Sequence, residues 1–373
     1  MKRSSLLFPA VVLLAACGPK TAGRPDGEPS APAAPLSPND VSVLFPDVPG
    51  DMLWPAALEA KGGPLLPRSE FARLDLSLVR EVDDEAEYDA LRVVAARFDP
   101  CFRRSHGGPC EPQVRLVLQL RDPAGGFFDG AVHALYAVDP ARLPALVAEL
   151  RALAALAPEN AGAPLGVSPV LAARGLDTPY AQRLKSLVTA HAGAGSLVRL
   201  TFMSRTFSRS GQWQFGGFET GAGKLPIAGI DATQQNVTRS IADDFEYVVH
   251  PPFGDPAGRP GASSTRLGQM SASERADVHA WAMRQLDPEA HLPDTTDCAA
   301  CHVAGHVARR LESVAPALLT PPLQQARARR FVGAGDADPD NLRAFGWFMK
   351  SPAVAQRTAE ETDAVLAAFA AIP

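Results

Sequence analysis

Cys298, Cys301 and His302 stand together in the run Asp297-Cys298-Ala299-Ala300-Cys301-His302. Two thiols three apart with an imidazole directly after them make C-x-x-C-H, the attachment pattern of a c-type haem. On a helical turn, residues three apart share a face. Both sulfurs can then reach the two vinyl groups of one porphyrin, and the imidazole swings over the iron as an axial ligand. Two other chemistries compete. A C-x-x-C redox disulfide does not need the His and usually opens a helix after a strand, whereas the preceding DPEAHLPDTTD carries no strand pattern. A structural zinc site wants a second ligand pair, and only His306 follows at ligand spacing.

A low-spin haem needs a sixth ligand, and a Met in that place raises the reduction potential. Of the six Met residues, Met349 is the candidate, in the run FGWFM. The competing reading makes Met349 plain core beside Phe345, Trp347 and Phe348. His279, Met283 and His291 are rival ligands, and a five-coordinate iron is the remaining option. His306 lies one turn past His302 on the same helix, so it cannot reach the opposite face of the ring; it is expected on the surface or against a propionate. Trp281 packs on the haem or in the core, and His250, before Pro251-Pro252, reads as surface.

These groups need elements to hold them. Ser271 and Glu274 form a capping box for a helix over SASERADVHAWAMRQL, ahead of the motif. Thr358 and Glu361 read as the capping box of a final amphipathic helix, with Val365, Leu366, Phe369 and Ile372 on one face. The order C-x-x-C-H, loop, Met, C-terminal helix with an aromatic resembles a class I (mono-haem) cytochrome c, over roughly residues 265–373. The resemblance implies a small all-α domain with one covalent haem c. Cys298 and Cys301 would carry the thioethers, His302 the iron, and Met349 its other face. This chain departs from the family in placing the Pro at Pro352 rather than beside the Met, and in carrying Phe369 where Tyr or Trp is frequent.

The N-terminus has Lys2 and Arg3, then an apolar run from Leu6 to Ala16, too short to span a bilayer. It ends Leu14-Ala15-Ala16-Cys17, which resembles a bacterial lipoprotein signal. That implies cleavage after residue 16, lipid on Cys17 and a stable anchor of two or three chains in the cell envelope. Gly18, in place of Asp, points towards the outer membrane. The Pro-rich residues that follow, to about 43, form an extended tether. Export implies an oxidising compartment. Cys101 and Cys110 bracket the turn-rich FRRSHGGP and are expected to form a disulfide, with two reduced thiols as the alternative. A zinc site adding His106 lacks a fourth ligand.

Between these ends the pattern is mixed. QVRLVLQLR (113–121) and AVHALYAV (131–138) read as strands, and 196–206 with 212–220 as an antiparallel pair. Helices are expected from Asp139-Pro140 to about Leu156 and over 178–191. This predicts an α+β domain of unassigned role over 44–255, a Pro/Gly-dense boundary at 251–263, and the cytochrome c-like domain over 256–373. Gly221-Ala222-Gly223-Lys224-Leu225 fails as a phosphate loop, since it lacks the first Gly and the terminal hydroxyl. The acidic run Asp83-Asp84-Glu85 with Glu87, and also Arg205 and Arg209, read as surface, and His133 as structural.

Composition bounds the function. With 46% hydrophobic and 21% charged residues, 373 residues can bury a core, which excludes wholesale disorder. The net charge of −5 becomes −7 once residues 1–16 are removed, which argues against a nucleic-acid partner. Taken together, these features predict a lipid-anchored c-type cytochrome that passes electrons to a redox protein of the envelope, rather than an enzyme with its own substrate. The alternatives are a haem peroxidase, a haem-based sensor, and a non-redox lipoprotein that binds a partner through the α+β domain.

Overall fold

The computed structural model describes residues 35–74, 84–104, 106–206, 212–220, 223–224, 234–240, 246–250, 270–292, 296, 298–321, 323–324 and 341–372. The lipoprotein signal, Cys17, nearly all of the tether and the boundary at 251–263 lie outside the described residues. The described residues belong to one compact unit, and none of their helices is long and apolar enough to cross a membrane.

The strands are β1 (Ser42–Leu44), β2 (Glu59–Ala60), β3 (Gly63–Pro64), β4 (Leu91–Phe102), β5 (Glu111–Leu120), β6 (Ala131–Ala137), β7 (Leu197–Thr206), β8 (Gln212–Glu219), β9 (Gly223–Lys224), β10 (Gln234–Ser240), β11 (Glu246–His250), β12 (Phe345–Phe348) and β13 (Ser351–Val354). The helices are α1 (Pro38–Val41), α2 (Arg68–Phe71), α3 (Asp84–Ala90), α4 (Leu143–Ala154), α5 (Pro169–Arg174), α6 (Pro179–His191), α7 (Ala272–Leu286), α8 (Cys298–Val314) and α9 (Gln356–Ala370). Nine strands form one antiparallel sheet in the order β1-β4-β5-β6-β7-β8-β10-β11, with β9 paired to β8.

The four strands expected from alternation are β5 to β8, and β7 pairs with β8 antiparallel from Arg199↔Glu219 to Thr206↔Gln212. Side chains alternate across a strand, so the register sorts the sheet into two faces. Leu116, Ala134, Leu200 and Phe218 are successive cross-strand partners on one face. They share a core with Leu146 and Leu150 of α4 and Leu184 and Val188 of α6. The opposite face carries Arg97, Arg115, Val117, His133, Thr201, Met203 and Phe215. The C-terminal elements cover that polar-studded face.

Several details differ from the sequence reading. Asp139 accepts a bond from the Ala141 amide as expected, but a short 3-10 turn, Pro140–Arg142, precedes α4. The longest strand, β4, is absent from the alternation pattern. Its outer end holds Pro100, and its register with β5 shifts between Asp99 and Phe102, as a strand proline demands. The C-terminal stretch is not purely helical, because β12 and β13 form a hairpin around Met349. The final helix begins at Gln356, so Thr358 and Glu361 do not cap it. Thr358 donates instead to the Ala344 carbonyl, and Glu361 is committed to arginines. Cys101 and Cys110 form the expected disulfide at the rim of the sheet.

Candidate functional site

The C-x-x-C-H run is the first turn of α8. The opposite side of α8, with Ala300, Val303, Ala304 and Val307, packs on Val278, Trp281 and Ala282 of α7 and on Met203, Trp213 and Phe215 of the sheet. A second tie joins the two helices, where His279 Nε2 meets Glu312 Oε1 at 2.8 Å in a buried site. Cys298 and Cys301 are half-buried and are not joined to each other.

His302 is the most constrained member of the turn. A carbonyl only accepts, so the 2.6 Å contact with Leu342 O makes Nδ1 the donor. Nε2 then holds the free lone pair. The ring lies 4.8 Å from the Phe215 ring centroid. Burial holds its pKa down to about 4, against the opposing Leu342 bond and with help from Arg343 and His306. The imidazole is therefore neutral at pH 7, the form that ligates a metal. A ligating His commonly donates its other N–H to a carbonyl, which sets tautomer and ring orientation. Two thiols that form no disulfide and a neutral imidazole with Nε2 open are a donor set that suits a covalent haem c. Among the described residues, no cluster of three or more His, Cys, Asp or Glu could hold a metal ion.

The Leu342 carbonyl is itself held in place. Asn341 Oδ1 accepts from the Arg343 amide at 2.8 Å. The Arg343 guanidinium pairs with Asp129 at 3.1 Å, and Trp213 Nε1 donates to the other Asp129 oxygen at 3.2 Å. All three side chains are buried. Beyond Arg343, Gln119 grips both backbone groups of Trp347: Oε1 accepts from its amide at 2.7 Å, and Nε2 donates to its carbonyl at 2.8 Å. Gly346 has φ +144°, and a Cβ there would stand 2.4 Å from Gln119 Oε1, so the close approach requires glycine.

Arg357 fastens α9 to the segment leading into the motif. Its guanidinium donates to the carbonyls of Gln285 (3.1 Å), Asp287 (2.7 Å) and His291 (2.7 Å) and to Glu361 (2.9 Å). Glu361 also pairs with Arg97, whose guanidinium reaches Ser42, the Thr358 carbonyl and Thr362. Burial acts to push the Glu361 carboxyl up, but Arg357, Arg97 and Arg115 prevail and hold it at about 2. Asp99, beside Arg115, is pushed up by burial. Both carboxyls line a cleft of ≈ 460 Å³ between the disulfide loop, residues 288–292 and α9.

The other candidates fall in separate places. Met349 sits at the β12–β13 turn with φ +55° and is 63% exposed. Its carbonyl accepts from the Phe127 amide, and its thioether faces solvent. His279 is engaged by Glu312. Met283 packs at the edge of the α7–α8 core. His306 is buried rather than exposed, on a helix packed on several sides. His133 lies on the polar-studded face, and burial holds it down to about 3, with His302 adding to the effect. Sequence reasoning missed Asp129, Arg343, Gln119 and Arg357. The only linear signal was the Arg357–Glu361 spacing of four, which fits an ion pair across one helical turn. Comparison with protein-family models, curated proteins and solved structures finds no match for this chain.

Proposed function

We propose that this chain is a lipid-anchored c-type cytochrome of a bacterial envelope, performing one-electron transfer. The observation that carries the reading is the prepared His302. Its Nδ1 is locked on Leu342, its Nε2 is left open, and two thiols that form no disulfide sit on the same helical turn. Cys298 and Cys301 hold the haem by thioethers, and His302 binds its iron. The bound haem supplies ferric–ferrous exchange. The chain's own residues exclude water, fix the imidazole tautomer and bias the charge around the site, with Phe215 packed on the imidazole and Asp129–Arg343 behind Leu342. The anchor is lipid on Cys17, and the partner is a redox protein of the envelope; nucleic acid has no part in this reading.

A second reading, a haem-based sensor or peroxidase, draws on two observations. Met349 faces solvent, and the cleft beside α9 shares Arg357 with the segment that leads into the motif. For Met349 to serve as sixth ligand, the β12–β13 turn must refold.

The test is an absorption spectrum of protein matured with a c-type assembly system, oxidised and then reduced, beside a haem-stained denaturing gel. Covalent haem with sharp low-spin bands in the reduced form supports the carrier. Covalent haem with high-spin bands and ready uptake of carbon monoxide favours the sensor or peroxidase. A colourless protein ends both and leaves a non-redox lipoprotein that binds a partner.

A further inference from the structure

The cleft of ≈ 460 Å³ between the disulfide loop, residues 288–292 and α9 has no part in the electron-carrier reading. Its size falls within the roughly 300–1,000 Å³ of small-molecule sites. Distant pieces of chain build its walls. The Cys101–Cys110 bridge closes the loop on one side, and His106 Nε2 stands 3.3 Å from the Ala290 carbonyl of the next segment. On α9, Ala364 and Ala368 lie four apart on one face, and their small side chains leave room. Phe102, Leu292 and Val365 complete an apolar wall. The polar groups are unevenly satisfied. Two carboxylates are taken: Asp99 accepts from the Cys101 amide and from Arg115, each at 3.0 Å, and Glu361 accepts from Arg97 and Arg357. The guanidiniums, by contrast, have donors in hand. Arg115 spends Nη2 on Asp99, but its Nη1 lies 3.8 Å from Glu361, beyond hydrogen-bond reach. Its planar group is held over the Phe102 ring at 4.4 Å. Arg103 is exposed at the rim and makes no ion pair among the described residues. N–H groups to spare, acceptors already used and an apolar wall together match an amphipathic anion. A guanidinium fork fits a carboxylate bidentately.

We propose that this cleft binds a small organic monocarboxylate with an apolar body. The carboxylate is received by Arg103 and Arg115, and the body lies along Ala364, Ala368 and Leu292. The site stands whether or not the chain carries haem.

The test is calorimetric titration of octanoate into the full chain. Acetate supplies the head without the body, and octylammonium supplies the body with the opposite charge. Octanoate should bind saturably, one per chain, and at least about tenfold more tightly than either control. Arg103→Gln removes an exposed guanidinium and should weaken octanoate about tenfold, the scale of a bond to a charged group. Ala368→Leu fills the cleft from a helix position that suits Leu, and it should weaken octanoate at least about tenfold as well. Both variants should keep the wild-type thermal midpoint, so that the loss reads the site and not the fold. An absence of saturable octanoate binding, equal binding of octanoate and octylammonium, or an affinity unmoved by both variants overturns the site. Stainable haem, present or absent, decides the haem reading and leaves these outcomes as they are.

Discussion

Replacing Glu361 by Gln tests the charge cluster that ties the last helix to the sheet. The carboxyl serves Arg97 and Arg357 directly and lies 3.8 Å from Arg115. Its ordinary pKa is 4.5, and the fold holds it at about 2, the arginines prevailing over burial. That difference corresponds to about 3 kcal/mol of stability at neutral pH. The figure sits at the lower end of the roughly 3–5 kcal/mol lost when one partner of a buried pair is removed. The sign follows from the depressed value. The contribution is full above about pH 4.5 and is lost as pH falls towards 2. Asp99, raised by burial, acts in the opposite sense but is present in both proteins. The assay is urea unfolding of wild type and Glu361→Gln from pH 7 to pH 3, followed by tryptophan fluorescence. The gap between them should be about 3 kcal/mol at pH 7 and less than half of that at pH 3. A gap below about 1 kcal/mol at pH 7, or one that does not change with pH, would refute the assignment of the pair.

Gln119→Leu should lower stability by about 2–4 kcal/mol, because it strands the buried amide and carbonyl of Trp347; an unchanged thermal midpoint would contradict this. Cys101→Ser with Cys110→Ser should cost about 2.5–3 kcal/mol through the short loop the disulfide closes. Reductant should then destabilise the wild type and leave the double variant unmoved. Met349→Ala should leave the visible spectrum of the haem-bound protein as it is, since the thioether faces solvent; loss of a Met–iron band would show that the turn refolds. On the proposed haem reading, His302→Ala should keep stainable haem while abolishing the low-spin spectrum, and an unaltered spectrum would exclude His302 as the ligand.

Local physics was legible without coordinates. The alternation of 113–121 and 131–138 placed β5 and β6, because residues two apart on a strand share a face. Ser271 was readable as a cap because its side chain accepts from the amide three residues on, that of Glu274. Thr358 and Glu361 fit the same template and belong to another role. Their true partners are Ala344, Arg97 and Arg357, and apart from Arg357 no local rule pairs them. The β12–β13 hairpin was hidden for a similar reason. Gly346 is required there by the side chain of Gln119, which is distant in the chain.

The sequence by itself determined the chemistry on offer: two thiols and an imidazole at haem spacing, an N-terminal run that resembles a lipoprotein signal, and a cysteine pair close enough to bridge. Each of these depends on residues a few positions apart, where chain geometry alone sets the distances. Only the tertiary structure decided what surrounds them. It brought Leu342 to His302 and Asp129 to Arg343. It also turned Met349 out at a hairpin turn. Those outcomes depend on which face of a nine-stranded sheet the last segments cover. That choice is made by burial and pairing summed over the whole chain, so no short window of sequence contains it.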